Sequence, residues 1–307
     1  MSINNNKGFT LVELLVATTI SIFVITASIT VFIDAKKHYS DINNATEQNV
    51  RALTVEEAIS GSLLNVGYGC NASADSLSYS DESGDNADMF ANGPVSVGVL
   101  PFTSPLIAPN LGIKQGCTGS LCAEADSNYI AIARDNNVSE ILSVNGVNVS
   151  VGEIFANLLN INQYVVSCDA STAYLMKVAN KSSSDIRMNG DPSVISAGEY
   201  IGDYELIVYL IRGTGRLYDD GSVVNALYMY KQKSSGRAKL YELIDQVSNL
   251  KVQIPESITM GEQISWRDIS SDTAITNSTE IIKISYDVTD KNGNIKNFSN
   301  IMPIRIY

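Results

Sequence analysis

Proline is missing from the first 93 residues of this chain, and Pro94 is the first of only seven. Nothing in that stretch obliges a helix to break. Histidine is nearly absent too: His38 is the only one, set among Asp34, Lys36, Lys37 and Asp41, and it reads as a solvated helix residue. A Ser/His/Asp triad would have to recruit it, and no Gly-x-Ser-x-Gly, Walker A or dinucleotide-binding fingerprint is present. The sequence therefore reads as non-enzymatic, with no cofactor and no metal expected. Basic residues are scarce, 21 Lys and Arg against 33 Asp and Glu, for a net charge of −12. Such a chain repels phosphate backbones, and no Lys/Arg cluster interleaved with aromatics offsets that. Nucleic acid is not indicated as a partner.

What is present is one long apolar run. From Phe9 to Ile33 the only charge is Glu13, with no proline or glycine. These 25 residues would span roughly 37 Å as a helix, enough to cross a bilayer. A secretory signal places its small residue after the apolar core. Here Gly8 precedes it, so cutting there would leave the hydrophobic helix on the mature protein. An ordinary signal anchor explains the length but not Glu13, because an unpaired carboxylate in lipid costs on the order of 2 to 3 kcal/mol or more. Its natural partner is a cation at the same depth.

The segment Lys7-Gly8-Phe9-Thr10-Leu11-Val12-Glu13-Leu14-Leu15-Val16 resembles the leader and N-terminal motif of type IV prepilins and type II secretion pseudopilins. That resemblance implies cleavage after Gly8 by a prepilin peptidase/N-methyltransferase and N-methylation of the new terminus, Phe9. It implies that Glu13 meets the N-terminal amine of a neighbouring subunit during assembly. The segment Asn65-Val66-Gly67-Tyr68-Gly69-Cys70 is similar to one in PilW-type minor pilins, and Glu242 to Ile254 is similar to a stretch in which that family has a short helix before a strand.

Four cysteines, Cys70, Cys117, Cys122 and Cys168, all follow the apolar run and read as two disulfides in an exported domain. Three pairings are open. Cys117 and Cys122 enclose a loop small enough to close on itself, which would leave Cys70 with Cys168. Zinc is the competing use, poorly supported by this spacing.

The helix should continue beyond the membrane. Leu53, Val55, Ile59, Leu63 and Val66 fall on one face, with Gly67 and Gly69 as a stop. Residues 71–127 are rich in Ser, Asp, Asn and Pro and read as an irregular insertion, with Asp81, Asp85 and Asp88 a weak calcium candidate. From Asn128 the pattern is β, with hairpin signals at Asn145-Gly146 and Asn292-Gly293. Asp290 to Asn294 begins like a calcium loop but lacks its glycine and glutamate, so it reads as a turn.

The expected fold is α+β and pilin-like: a long N-terminal helix packed on antiparallel sheet, with a second β subdomain in the middle. The parts are a leader (1–8), a transmembrane half-helix (9–33), an amphipathic periplasmic half (34–68), a loop-rich disulfide-containing insertion (69–127) and an antiparallel β domain (128–307). The resemblance implies a minor pilin in the inner membrane with a periplasmic domain, reaching the pilus tip or cell surface on assembly. Its implied partners are other minor and major pilins and the inner-membrane assembly platform. The alternatives are a type II secretion pseudopilin and a membrane-anchored adhesin or binding module.

Overall fold

A computed structural model describes residues 10–70, 77–85, 88–100, 121–169, 171–190, 192–232, 238–257, 264–275 and 279–306. The chain divides into two units, Met1–Asn49 and Val50–Tyr307, and helix α1 (Leu11–Leu63) contributes to each. In chain order there follow β1 (Ser78–Asp81), α2 (Asp88–Ala91), β2 (Val95–Val99), β3 (Asn128–Asn145), β4 (Asn148–Val151), α3 (Glu153–Leu158), β5 (Tyr164–Cys168), β6 (Thr172–Lys181) and β7 (Asp185–Asn189). After these come β8 (Tyr200–Leu217), β9 (Val223–Gln232), β10 (Ala238–Asp245), β11 (Val247–Ser257), β12 (Ser265–Asp268), β13 (Thr273–Ala274), β14 (Ile281–Thr289) and β15 (Ile295–Pro303).

In the first unit α1 carries large apolar side chains that are exposed from Leu11 to Ile33, followed by a polar stretch from Asp34 to Asn49. Its hydroxyls bond back to carbonyls of the preceding turn. Thr18 and Thr19 donate to the Leu15 carbonyl, Ser21 to Ala17, Thr26 to Ile22, Ser28 to Val24 and Thr30 to Thr26. Each hydroxyl is thereby satisfied within its own helix, which is what an apolar surrounding demands.

In the second unit the buried face of α1 is Ala52, Val55, Ile59 and Leu63, at steps of three and four. Leu53, expected on that face, is 62% exposed, and Ala52 takes its place. The face is buried in a core shared with Ile130, Ile132, Ile207, Tyr209 and Ile211 of a large sheet and Ile282, Ile284, Tyr286 and Val288 of a small one. Two tyrosines tie the helix backbone down as well. Tyr209 donates to the Ala58 carbonyl at 2.8 Å and Tyr286 to the Ala52 carbonyl at 2.9 Å.

The small sheet runs β12-β11-β14-β15, all antiparallel. The large one runs β10-β9-β8-β5-β6-β7-β4-β3-β2-β13, with β1 added parallel to β6. Because β8 also pairs with β3, the strands β3, β8, β5, β6, β7 and β4 close into a ring. Ile141, Val149, Val151, Val165, Met176, Val178, Ile186 and Ile201 fill its interior, and α3 adds Phe155 and Ala156. The long strands β3 and β8 thus belong to two structures at once, an open sheet in one half and a closed barrel in the other. Where they change over, the ladder slips between Asp135 and Val138. There the Asp203 carboxylate accepts the backbone N–H of Asn136 at 3.0 Å and of Asn137 at 2.6 Å, satisfying the bulge. Gly202 faces this point, and a Cβ there would sit 2.6 Å from Asp135 Cβ, so only glycine fits.

Several sequence expectations are corrected. The stretch expected to hold a short helix before a strand, Glu242 to Ile254, is the end of β10 followed by β11. Gln246 makes the turn between them with φ 61°. The first hairpin turns on Gly146-Val147 rather than Asn145-Gly146, since Asn145 pairs with Asn148. Gly146 has φ 58°, and a glycine at the first turn position is what a type II′ hairpin requires. The insertion is less irregular than its prolines suggest, because β2 lies in the large sheet between β3 and β13.

Candidate assembly helix and processing site

The predicted processing residues Gly8 and Phe9 lie outside the described residues. The described chain opens at Thr10, immediately before α1, and its first turn is a reciprocal cap. The Glu13 carboxylate accepts the backbone N–H and the hydroxyl of Thr10, both at 3.0 Å, while the Glu13 N–H donates to the Thr10 hydroxyl at 3.3 Å. This Thr-x-x-Glu capping box satisfies two of the helix's orphan donors and places a negative charge at the positive end of its dipole. Thr10 was not singled out from the sequence, although Thr followed three residues later by Glu before an apolar run is the signature of such a cap.

Around this cap the large exposed side chains are apolar. Leu11 is 78% exposed, and Leu14, Leu15 and Phe23 are exposed as well. The helix is long and apolar enough to cross a membrane. An apolar surface on every side of a helix needs lipid or other helices around it. Glu13 has oxygen lone pairs left after its two bonds from Thr10, so its carboxylate can still receive a cation.

The cysteines expected to pair last, Cys70 and Cys168, are joined, with their Cα atoms 5.5 Å apart. Cys122 is disulfide-bonded as well. Cys117, its expected partner, lies outside the described residues. The Cys70–Cys168 bridge adjoins an aromatic cluster in which Tyr68 packs against Phe90 and Tyr204, with ring centroids 5.6 and 6.3 Å apart.

Two of the three calcium-candidate carboxylates are engaged otherwise. Asp85 accepts Lys177 Nζ at 2.7 Å and the Tyr164 hydroxyl at 2.6 Å. The Lys177 hydrogen bond, then that of Tyr164, holds its carboxyl below the usual carboxylate range. Asp81 accepts the Ser83 N–H and hydroxyl. Asp88 begins α2. Among the described residues no group of three or more His, Cys, Asp or Glu is placed to hold a metal ion. Asp290 accepts the N–H groups of Asn292 and Asn294 at 2.8 Å each, which makes it the keystone of the β14–β15 turn. His38 is exposed on α1.

The family model for the prokaryotic N-terminal methylation motif matches residues 3–29. No curated protein and no solved structure matches the chain. The matched residues cover the predicted leader junction, the Thr10–Glu13 cap and most of the exposed apolar helix.

Proposed function

From the premise that this chain is a type IV prepilin-like protein, anchored by its N-terminal helix, we propose that it is a minor pilin that primes or caps pilus assembly. Processing would begin with hydrolysis of the Gly8–Phe9 peptide bond by prepilin peptidase, freeing the Phe9 amine for methylation by the same partner. The observation that carries the rest is Glu13, the one charge between Phe9 and Ile33, a stretch whose large apolar side chains are exposed from Leu11 onward. Thr10 holds the carboxylate against the first turn, so each subunit would enter lipid with its acid already hydrogen-bonded. A neighbour's N-terminal ammonium would then complete the pairing. Two ions that are each costly alone in lipid cost less together, which favours lateral association of subunits over isolated ones. The helix would thus be the assembly element in the inner membrane, and the residues from 50 onward the periplasmic body.

The methylation motif is shared by secretion pseudopilins, which makes the pseudopilin the second reading. Deletion of the gene, complemented by wild type or by Glu13→Leu, separates the two. The proposal expects piliation to fall at least tenfold on deletion, to return with wild type and not with Glu13→Leu, and secreted enzymes to be unaffected. Normal piliation with lost secretion would favour the pseudopilin. If neither changes, the chain is an anchored binding module, and deleting residues 71–127 should then abolish adhesion.

A further inference from the structure

Among the described residues, the closed barrel carries an exposed apolar patch. Helix α3 buries Phe155 and Ala156 inward, while Ile154 is 82% and Leu158 53% exposed. Together with Val138 of β3, 44% exposed, they line an open groove of about 670 Å³. The platform is fixed in place: Lys181 donates its ammonium to the carbonyls of Ala156 at 3.2 Å, Asn157 at 3.1 Å and also Leu159. An isoleucine standing almost free beside a half-exposed leucine and valine, on a helix held down at its end, is a surface shaped for contact.

Among the described residues, the one charged side chain that lines this groove is acidic. Glu153 lines it, and the Asn136-Asn137 rim is held by the Asp203 carboxylate behind it. Among the described residues no Lys or Arg lines the groove; the Lys181 ammonium keeps its charge but lies outside the lining, on the carbonyls at the end of α3. A second copy of this chain would bring the same acids, and a net charge of −12, against themselves. We propose that the α3 groove of the barrel docks a protein partner whose apolar contact residue is flanked by lysine or arginine. This site is separate from the membrane helix, and the proposal stands whether or not the chain serves a pilus. Apolar burial of Ile154 and Leu158 would supply affinity, and Glu153 would select the sign of the partner and speed encounter.

The test titrates the full chain, in a non-ionic detergent with empty micelles subtracted, against two capped fluorescent octapeptides. One is built of leucine and lysine, the other of leucine and glutamate. The proposal expects the lysine peptide to bind at least tenfold tighter. That binding should weaken at least tenfold in Ile154→Ser/Leu158→Ser, a change at exposed positions that leaves circular dichroism and Tm unaltered. In Glu153→Lys the preference between peptides should collapse. Equal binding of both peptides, or binding untouched by the serine pair, would overturn it. So would concentration-dependent dimerisation in sedimentation that disappears in the serine pair, since the groove would then belong to a second copy.

Discussion

Cys70 and Cys168 are joined across 98 residues of sequence, tying the segment that leaves α1 to the last residue of β5. The bridge therefore fixes the exit of the helix to a strand of the closed barrel. Cross-linking so long a loop removes many conformations from the unfolded chain, worth about 4.7 kcal/mol in the chain-entropy account. Cys70→Ser/Cys168→Ser should therefore lose about that much stability in urea or guanidinium titrations. An unchanged midpoint would mean that the aromatic cluster beside the bridge holds this junction unaided.

Glu205 of β8 sets a pH dependence. Arg134 grips its carboxylate through Nε at 2.9 Å and Nη2 at 2.7 Å, and Lys231 adds a third contact. Burial pushes the carboxyl up, but the hydrogen bonds from Lys231, Asn136 and Arg134 outweigh it and hold the group below its usual value. A carboxyl with a depressed folded pKa adds stability above its unfolded pKa and loses it as pH falls through the folded one. Glu205→Gln should cost about 2 kcal/mol at neutral pH, with the gap from wild type closing below about pH 4. Thermal melts across that range check both the sign and the window.

The packing of α1 in the second unit predicts a contrast between neighbours on the helix. Ile59 is fully buried, so Ile59→Ala should destabilise by about 3 kcal/mol, whereas the exposed Leu53→Ala should stay within about 0.5 kcal/mol. Tyr286→Phe removes the hydroxyl that donates to the Ala52 carbonyl at 2.9 Å and approaches the Glu56 carboxylate at 3.4 Å, and should cost about 1 to 2 kcal/mol. Chemical denaturation of the three variants is the measurement.

Much of this architecture was legible because its signals are local. The absence of proline before Pro94 and the apolar run foretold α1. The Thr10–Glu13 cap was written in the sequence but is easily passed over, since Glu13 invites a functional reading first. The closed barrel was legible only as extra β structure. Its closure depends on β8 reaching both β5 and β3, as when Tyr200 pairs with Cys168 on one side and Glu140 on the other. Such pairings between distant strands leave no periodicity to read. β2 was hidden among prolines, and the turn at Gln246 uses a left-handed conformation that glutamine does not advertise. The α3 patch was illegible for a related reason: whether Ile154 or Phe155 faces inward is decided by the barrel beneath.

Assembly through Glu13 requires that the N-terminal helix be a processed prepilin helix. Intact-mass and terminal-peptide spectrometry of the protein purified from its host tests this directly. The expected result is a mature chain that begins at N-methylated Phe9, with residues 1–8 absent. A chain that retains Met1 and its polar leader, or one cut after the apolar run, would contradict the account, because Glu13 would then have no neighbour's N-terminal amine to meet.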